Sequence, residues 1–221
     1  MCYTAAISLH AFVINVLSSL VLYIYATYYD TDKDDKKTLQ VSGIIIAWIG
    51  LMQLYDYIFW TNKRNRLNEI TTKVAMVTNH LQPVVFYGLI RYFIGSLPSS
   101  LNVLIGIYGA VAIVYSLSVW NKLQYTEVTK KSSPSLYWAW NYAPGNKVLY
   151  PLYVLTLTFM SLRMLAAPYN WVFTVLFLSQ YLFSHFKYHI MKSTGRFWCY
   201  FFSFTSLIFL GIVVGLKVFK T

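Results

Sequence analysis

The feature that most limits what this chain can fold into is its series of apolar runs, each about as long as a bilayer is thick. A helix needs about 20 mostly apolar residues to cross the hydrocarbon core. Such runs cover roughly residues 4–28, 39–60, 70–94, 101–120, 148–167, 169–189 and 197–218. Within hydrocarbon a segment must satisfy its own backbone polar groups, which a helix does and an open strand does not. The expected fold is therefore all-α: a polytopic membrane protein, a bundle of about seven transmembrane helices formed by residues 1–221 as one unit.

Composition agrees and excludes other classes. Only 11% of residues are charged, against about 25% in ordinary soluble domains. The net charge of +11 would raise the question of nucleic acid in a soluble protein. Here the basic residues occupy short breaks such as Asn62-Lys63-Arg64-Asn65-Arg66, so anionic lipid headgroups, and not nucleic acid, are the expected partner beside the bilayer itself. Two cysteines, Cys2 and Cys199, exclude a disulfide framework. Cys2 sits where a juxtamembrane thiol is either acylated or inert. The first apolar run starts almost at Met1 without a basic leader and reads as an uncleaved insertion signal. Lys63, Arg64, Arg66, Lys122, Lys147 and Lys192 fall after even-numbered runs, which predicts a cytoplasmic N-terminus and a C-terminus outside. The longest break, 121–147, is polar at first. It then turns aromatic over Leu136–Tyr142, and that half is expected in the membrane interface. The break at 30–37 reads as a solvated loop.

Polar residues within the runs are the candidate site. Asp56 is the one acid inside any of them, and an intramembrane acid is a functional-site hypothesis by default. Gln53 and Asp56 share a face of the second run at i, i+3. The third run carries Asn79, His80 and Gln82 just before Pro83, which removes a backbone donor and frees the carbonyl of Asn79. Counted from the presumed cytoplasmic ends at 1.5 Å per residue, most of Gln53, Asp56, Asn79, His80, His10, Asn15, Gln180 and Ser203 fall in a slab roughly 10 Å thick. The reading is a polar network or cavity in that half of the bundle, with His80 as the expected partner of Asp56. The bland reading is interhelical packing, worth about 0.6–2 kcal/mol per hydrogen bond.

His185 and His189, at i, i+4, have a spacing that could hold a metal, although an interfacial helix end has the same look. No lysine lies midway along the last run, which excludes a retinal-binding protein. No cofactor and no defined enzymatic reaction is indicated by these residues.

Several strings occur together in order: Met1-Cys2, the segment Met52–Trp60, Leu81-Gln82-Pro83, Leu136-Tyr137-Trp138-Ala139-Trp140, and Arg196-Phe197-Trp198-Cys199-Tyr200. In this order the chain resembles a family of small multispanning membrane proteins encoded by large DNA viruses of algae and protists. The resemblance implies a viral membrane protein, implies a Glu where this chain has Asp56, and brings no activity with it.

Three functions stay open on the sequence. The first is a channel or transporter for protons, cations or a small polar solute, using Asp56, His80, Gln53, Asn79, Gln82, Gln180 and Asn15. The second is a structural or interaction protein of a viral or host membrane, with a homo-oligomer as one form of it. The third is a membrane-embedded metal-dependent hydrolase. The hydrolase reading requires stoichiometric zinc in the purified protein, and elemental analysis finding none removes it.

Overall fold

In the computed structural model, residues 4–29, 32–129, 135–188 and 194–218 are described. They form α1 (Ala5–Tyr28), α2 (Lys33–Thr61), α3 (Arg66–Phe93) and α4 (Ser99–Trp120), then a small hairpin of β1 (Glu127–Thr129) and β2 (Ser135–Tyr137). A 3-10 turn (Ala139–Tyr142) leads into α5 (Asn146–Met164), α6 (Tyr169–Tyr188), α7 (Thr194–Phe202) and α8 (Thr205–Val218). The chain is thus all-α apart from the hairpin. Among the described residues, α1, α2, α4 and the segment Trp198–Leu216 are long and apolar enough to cross a membrane. The protein is a membrane protein on that ground. The third, fifth and sixth helices are diluted by polar side chains, and α3 alone buries Asn68, Asn79, His80 and Gln82.

Helix boundaries follow local capping chemistry. Thr4 accepts from the Ile7 N–H and Asn65 from the Asn68 N–H, each satisfying an otherwise orphaned first-turn donor. The expected solvated loop at 30–37 is corrected over its described part, because α2 starts at Lys33. Asp32 accepts from the N–H groups of Asp34 and Asp35, and those two acids face the positive end of the helix dipole. At the other end of α3, Gly95 adopts φ 110° and its N–H reaches back to the Ile90 carbonyl, closing the helix as only a residue without Cβ does comfortably.

The last apolar run is two helices, not one. At the break, the N–H of Ser203 reaches the carbonyls of both Cys199 and Tyr200, and its hydroxyl donates back to the Cys199 carbonyl at 2.8 Å. Back-bonding of this kind bends helices. It leaves the Ser203 carbonyl facing α1, where the Asn15 amide donates to it at 3.3 Å.

Helix α2 is central: it packs on α1, α3, α6, α7 and α8 and touches β2. Helix α4 is peripheral, packing on α3 and α5. Its buried residues Leu101, Tyr108, Ala112, Tyr115 and Val119 recur at three, four and seven, while Val103, Ile107, Ile113, Val114 and Leu117 are exposed. Helices α1 and α2 approach closely through small residues. A Cβ on Gly43 would sit 3.0 Å from the Ser19 carbonyl oxygen, and one on Gly50 would overlap the Asn15 side chain. Gly50→Leu or Gly43→Val should therefore destabilise the bundle by about 1–3 kcal/mol through overpacking. Gly88→Leu, at a position open to its surroundings, should not. Thermal unfolding in detergent checks the contrast.

Candidate functional site

The segment between α4 and α5 folds into the bundle. Its hairpin pairs Val128 with Leu136 in antiparallel register. The chain just before β1 is clamped to the start of α3. There the Asn68 side chain accepts from the Thr126 N–H (2.9 Å) and donates to the Thr126 carbonyl (3.1 Å), while Thr72 and Thr126 share a hydroxyl hydrogen bond of 3.0 Å. These groups are buried, so breaking one partner leaves the other unsatisfied. The ion pair of Arg64 with Glu127 (2.8 Å) is exposed on both sides and contributes little by comparison.

Beyond β2, Trp138 and Trp140 enter the interior, 2% and 0% exposed, with their rings stacked at 5.2 Å. The sequence expectation that Leu136–Tyr142 lies on the membrane interface is corrected at these residues, since Leu136, Trp138 and Trp140 are core. Indole rings suit an interface when one edge stays wet. Here the Trp138 Nε1–H has a buried acceptor instead, donating to Asp56 Oδ1 at 3.0 Å. The expected pairing of Asp56 with His80 is corrected accordingly: the hydrogen bonds of the His80 ring run to Ser116 and Tyr150. The sequence gap of roughly six residues in depth between Asp56 and His80, about 9 Å, is the physical reason. An indole delivered from the loop reaches the carboxylate without that span.

His80, 3% exposed, is the node of a second cluster. Its Nδ1 lies 2.8 Å from Ser116 Oγ of α4 and its Nε2 lies 3.4 Å from the Tyr150 hydroxyl of α5. The Tyr150 hydroxyl donates to Asn141 Oδ1, and the backbone carbonyl of Asn141 accepts from Asn146 Nδ2 at 3.0 Å. Around the ring, Tyr115 packs edge-on at 5.5 Å and donates to the Trp140 carbonyl. Pro83 lies inside α3, and one turn before it the Tyr108 hydroxyl donates to the His80 carbonyl at 2.7 Å, the neighbour of the Asn79 carbonyl that the proline was expected to free. Gln82, wholly buried, accepts from the Tyr153 hydroxyl.

The remaining expected site residues lie elsewhere. Asn15 and its neighbour Ser18 bind α8 and the break before it, through the Ser203 carbonyl and a 2.5 Å contact with the Ser206 hydroxyl. Gln180 accepts from the Thr205 hydroxyl at 3.0 Å. Gln53 is buried on α2 beside Asp56, and Asn79 is buried beside His80. His10 is exposed on α1 and not part of the layer. His185 stacks on Tyr181 at 6.0 Å. His189 lies outside the described residues, and no group of three His, Cys, Asp or Glu side chains is assembled among those described. The sequence reading missed Tyr108, Tyr115, Ser116, Asn141, Tyr150 and Tyr153, having assigned tyrosines to the interface. The signal was spacing: Tyr108 and Tyr115 at i, i+7 and Tyr150 and Tyr153 at i, i+3 mark inward faces of apolar helices.

A groove of about 760 Å³ runs between α3 and α4. Val77, Leu81 and Val84 form one wall and Ile105, Ile113 and Leu117 the other, with His80 and Ser116 as polar members and the hydrogen-bonded pair Tyr87 and Asn102 also on the lining. Gly106 and Gly109 line it, and a Cβ on either would meet nothing within 4 Å. A smaller cavity of about 370 Å³, between α4 and the start of α5, is lined by Tyr115, Ser118 and Gly145 among others.

Trp138→Phe keeps an aromatic ring but deletes the donor to Asp56 together with the pyrrole part of the buried indole. It should cost about 1–3 kcal/mol for the buried acceptor left unsatisfied, with the lost packing added to it. Asp56→Asn, which retains an acceptor, should cost less. Denaturation midpoints of the two variants check the order. Compared with known proteins, the chain matches no family model, no curated protein and no solved structure.

Proposed function

We propose that this membrane protein binds a lipid-like amphiphile from the bilayer, laying one acyl chain along the groove between α3 and α4 with its polar group against His80 and Ser116. The carrying observation is the groove itself. At about 760 Å³ it falls within the range of small-molecule sites, which are mostly apolar with a few converging polar groups. The exposed outer face of α4 is apolar and α4 is long enough to span, so the groove opens sideways into hydrocarbon. The occupant nearest at hand there is an acyl chain. The proposal includes the seven-span arrangement, with the hairpin end of the bundle in the cytoplasm and its basic loops against anionic headgroups. It also includes a viral or host membrane as the setting, from the resemblance in sequence.

The solute-pathway reading rests on the polar layer, and the hydrogen bonds of that layer favour packing instead. Asn15, Ser18 and Gln180 join helix to helix, and Trp138 and Trp140 fill the space beside Asp56. Proteoliposomes are expected to show no proton or cation flux above empty vesicles. A flux abolished by Asp56→Asn would overturn the lipid reading in favour of transport.

The direct test fills the groove. Native mass spectrometry of the protein extracted in mild detergent should show a lipid adduct in the wild type, reduced at least about tenfold in Gly109→Leu and Gly106→Leu. Both variants should fold, because the space is open and leucine favours a helix over glycine by roughly 1 kcal/mol. An adduct unchanged in both would sink the proposal.

A further inference from the structure

We propose that Ser116 is a nucleophile activated by His80, and that the groove ligand is an acyl ester whose acyl group Ser116 accepts. This rests on the lipid-binding reading above and adds a reaction to it.

The argument is one of hydrogen-bond direction. Asn141 presents its side-chain carbonyl oxygen to Tyr150, and a carbonyl oxygen only accepts, so the single phenolic proton of Tyr150 is committed there. Toward His80 the Tyr150 oxygen is then left as an acceptor, so Nε2 of the ring carries the proton. In a neutral imidazole the other nitrogen is bare, so Nδ1 accepts the Ser116 Oγ–H at 2.8 Å. Nucleophile, base and a third group orienting the base thus stand in series, which is the arrangement that activates serine. The series is anchored from outside: Asn146 holds Asn141, and Tyr108 holds the His80 backbone. Ser116 is also one of the few polar groups on the wall of an apolar groove. A serine serving only to join two helices needs no such opening beside it. Ser118, two residues on, is a ready contrast: its hydroxyl donates to the Tyr115 carbonyl within its own helix, and no histidine faces it.

In the reaction, Ser116 Oγ attacks the ester carbonyl as its proton passes to His80 Nδ1. The Oγ–acyl bond forms, the bond to the leaving alkoxide breaks, and His80 returns the proton to that oxygen, releasing the alcohol. Water is the second substrate. It gives one proton to His80, its oxygen bonds to the acyl carbon, and the Ser116 Oγ leaves with the proton from His80, yielding the free carboxylic acid and the original serine.

The test is labelling of the full-length protein in detergent with alkyl fluorophosphonates, with the adduct located by peptide mass spectrometry. A long-chain probe should modify Ser116 in the wild type and in Ser118→Ala. The adduct should be lost in Ser116→Ala and form about 100-fold more slowly in His80→Gln, the scale of general-base assistance. Tyr150→Phe, which frees the ring tautomer, should also slow it. Because His80→Gln could simply unfold, Ser116→Cys gives a second arm. Beside His80 its thiol should react with an alkyl iodoacetamide at pH 6, where an unassisted thiol of pKa about 8.5 is almost wholly protonated. Lipid adducts in the wild type with no probe at Ser116 and no reaction of Ser116→Cys at pH 6 would overturn the nucleophile and leave the groove reading standing. Labelling of Ser116 by short- and long-chain probes alike, undiminished by Gly109→Leu and without any bound lipid, would support the nucleophile and remove the groove.

Discussion

The hydrogen bond from the Trp138 indole to Asp56 fixes where the segment between α4 and α5 enters the bundle, and the interior on that side is arranged around it. A buried carboxyl group is costly unless hydrogen bonds meet it. Meeting it from a loop means that the loop must descend, and its descent carries Trp140 and Asn141 with it. Trp140 packs against Phe59 and supplies the carbonyl taken by Tyr115, while Asn141 meets Tyr150. One polar demand on α2 thus reaches α4 through the Trp140 carbonyl and α5 through the Asn141 side chain. The clamp of Thr126 by Asn68 and Thr72 holds the other end of the same segment, so the hairpin is bound at both its entry and its exit.

The peripheral position of α4 has the opposite character. The helix is held to α3 by Tyr108 and Ser116 and to the 3-10 turn by Tyr115, each hydrogen-bonded to a partner off its own helix, and its glycines face open space. Where glycines draw helices together, as Gly43 and Gly50 do between α1 and α2, they sit against backbone or a buried amide. Gly106 and Gly109 do not close a gap; they line one. The same residue type thus seals one helix pair and opens another, and the difference lies in whether a neighbouring backbone occupies the space that a Cβ would take.

The all-α class and the approximate limits of most helices were legible in the sequence, because length and hydropathy are local quantities and the backbone has few other ways to satisfy itself in hydrocarbon. The buried status of Asp56, Gln53, Asn79, His80, Gln82 and Asn15 was legible for the same reason. The limits of α2 and the break between α7 and α8 were not, since each depends on one capping or back-bonding side chain that hydropathy ignores.

Partnership was the part that only the tertiary structure decided. Counting residues from a membrane face gives depth, one coordinate of three, and leaves the rotation of each helix and the identity of its neighbours undetermined. Asp56 and His80 shared a half of the membrane in the sequence, yet their hydrogen bonds run to Trp138 on one side and to Ser116 and Tyr150 on the other, from residues 82, 36 and 70 positions away along the chain. Close packing chose those partners, because neighbouring helices must interlock their side chains before any buried polar group finds its acceptor. What the sequence determined by itself was that these polar groups would be inside and would need partners; which partners they have followed from the shapes that the surrounding helices and the inserted loop could fit together.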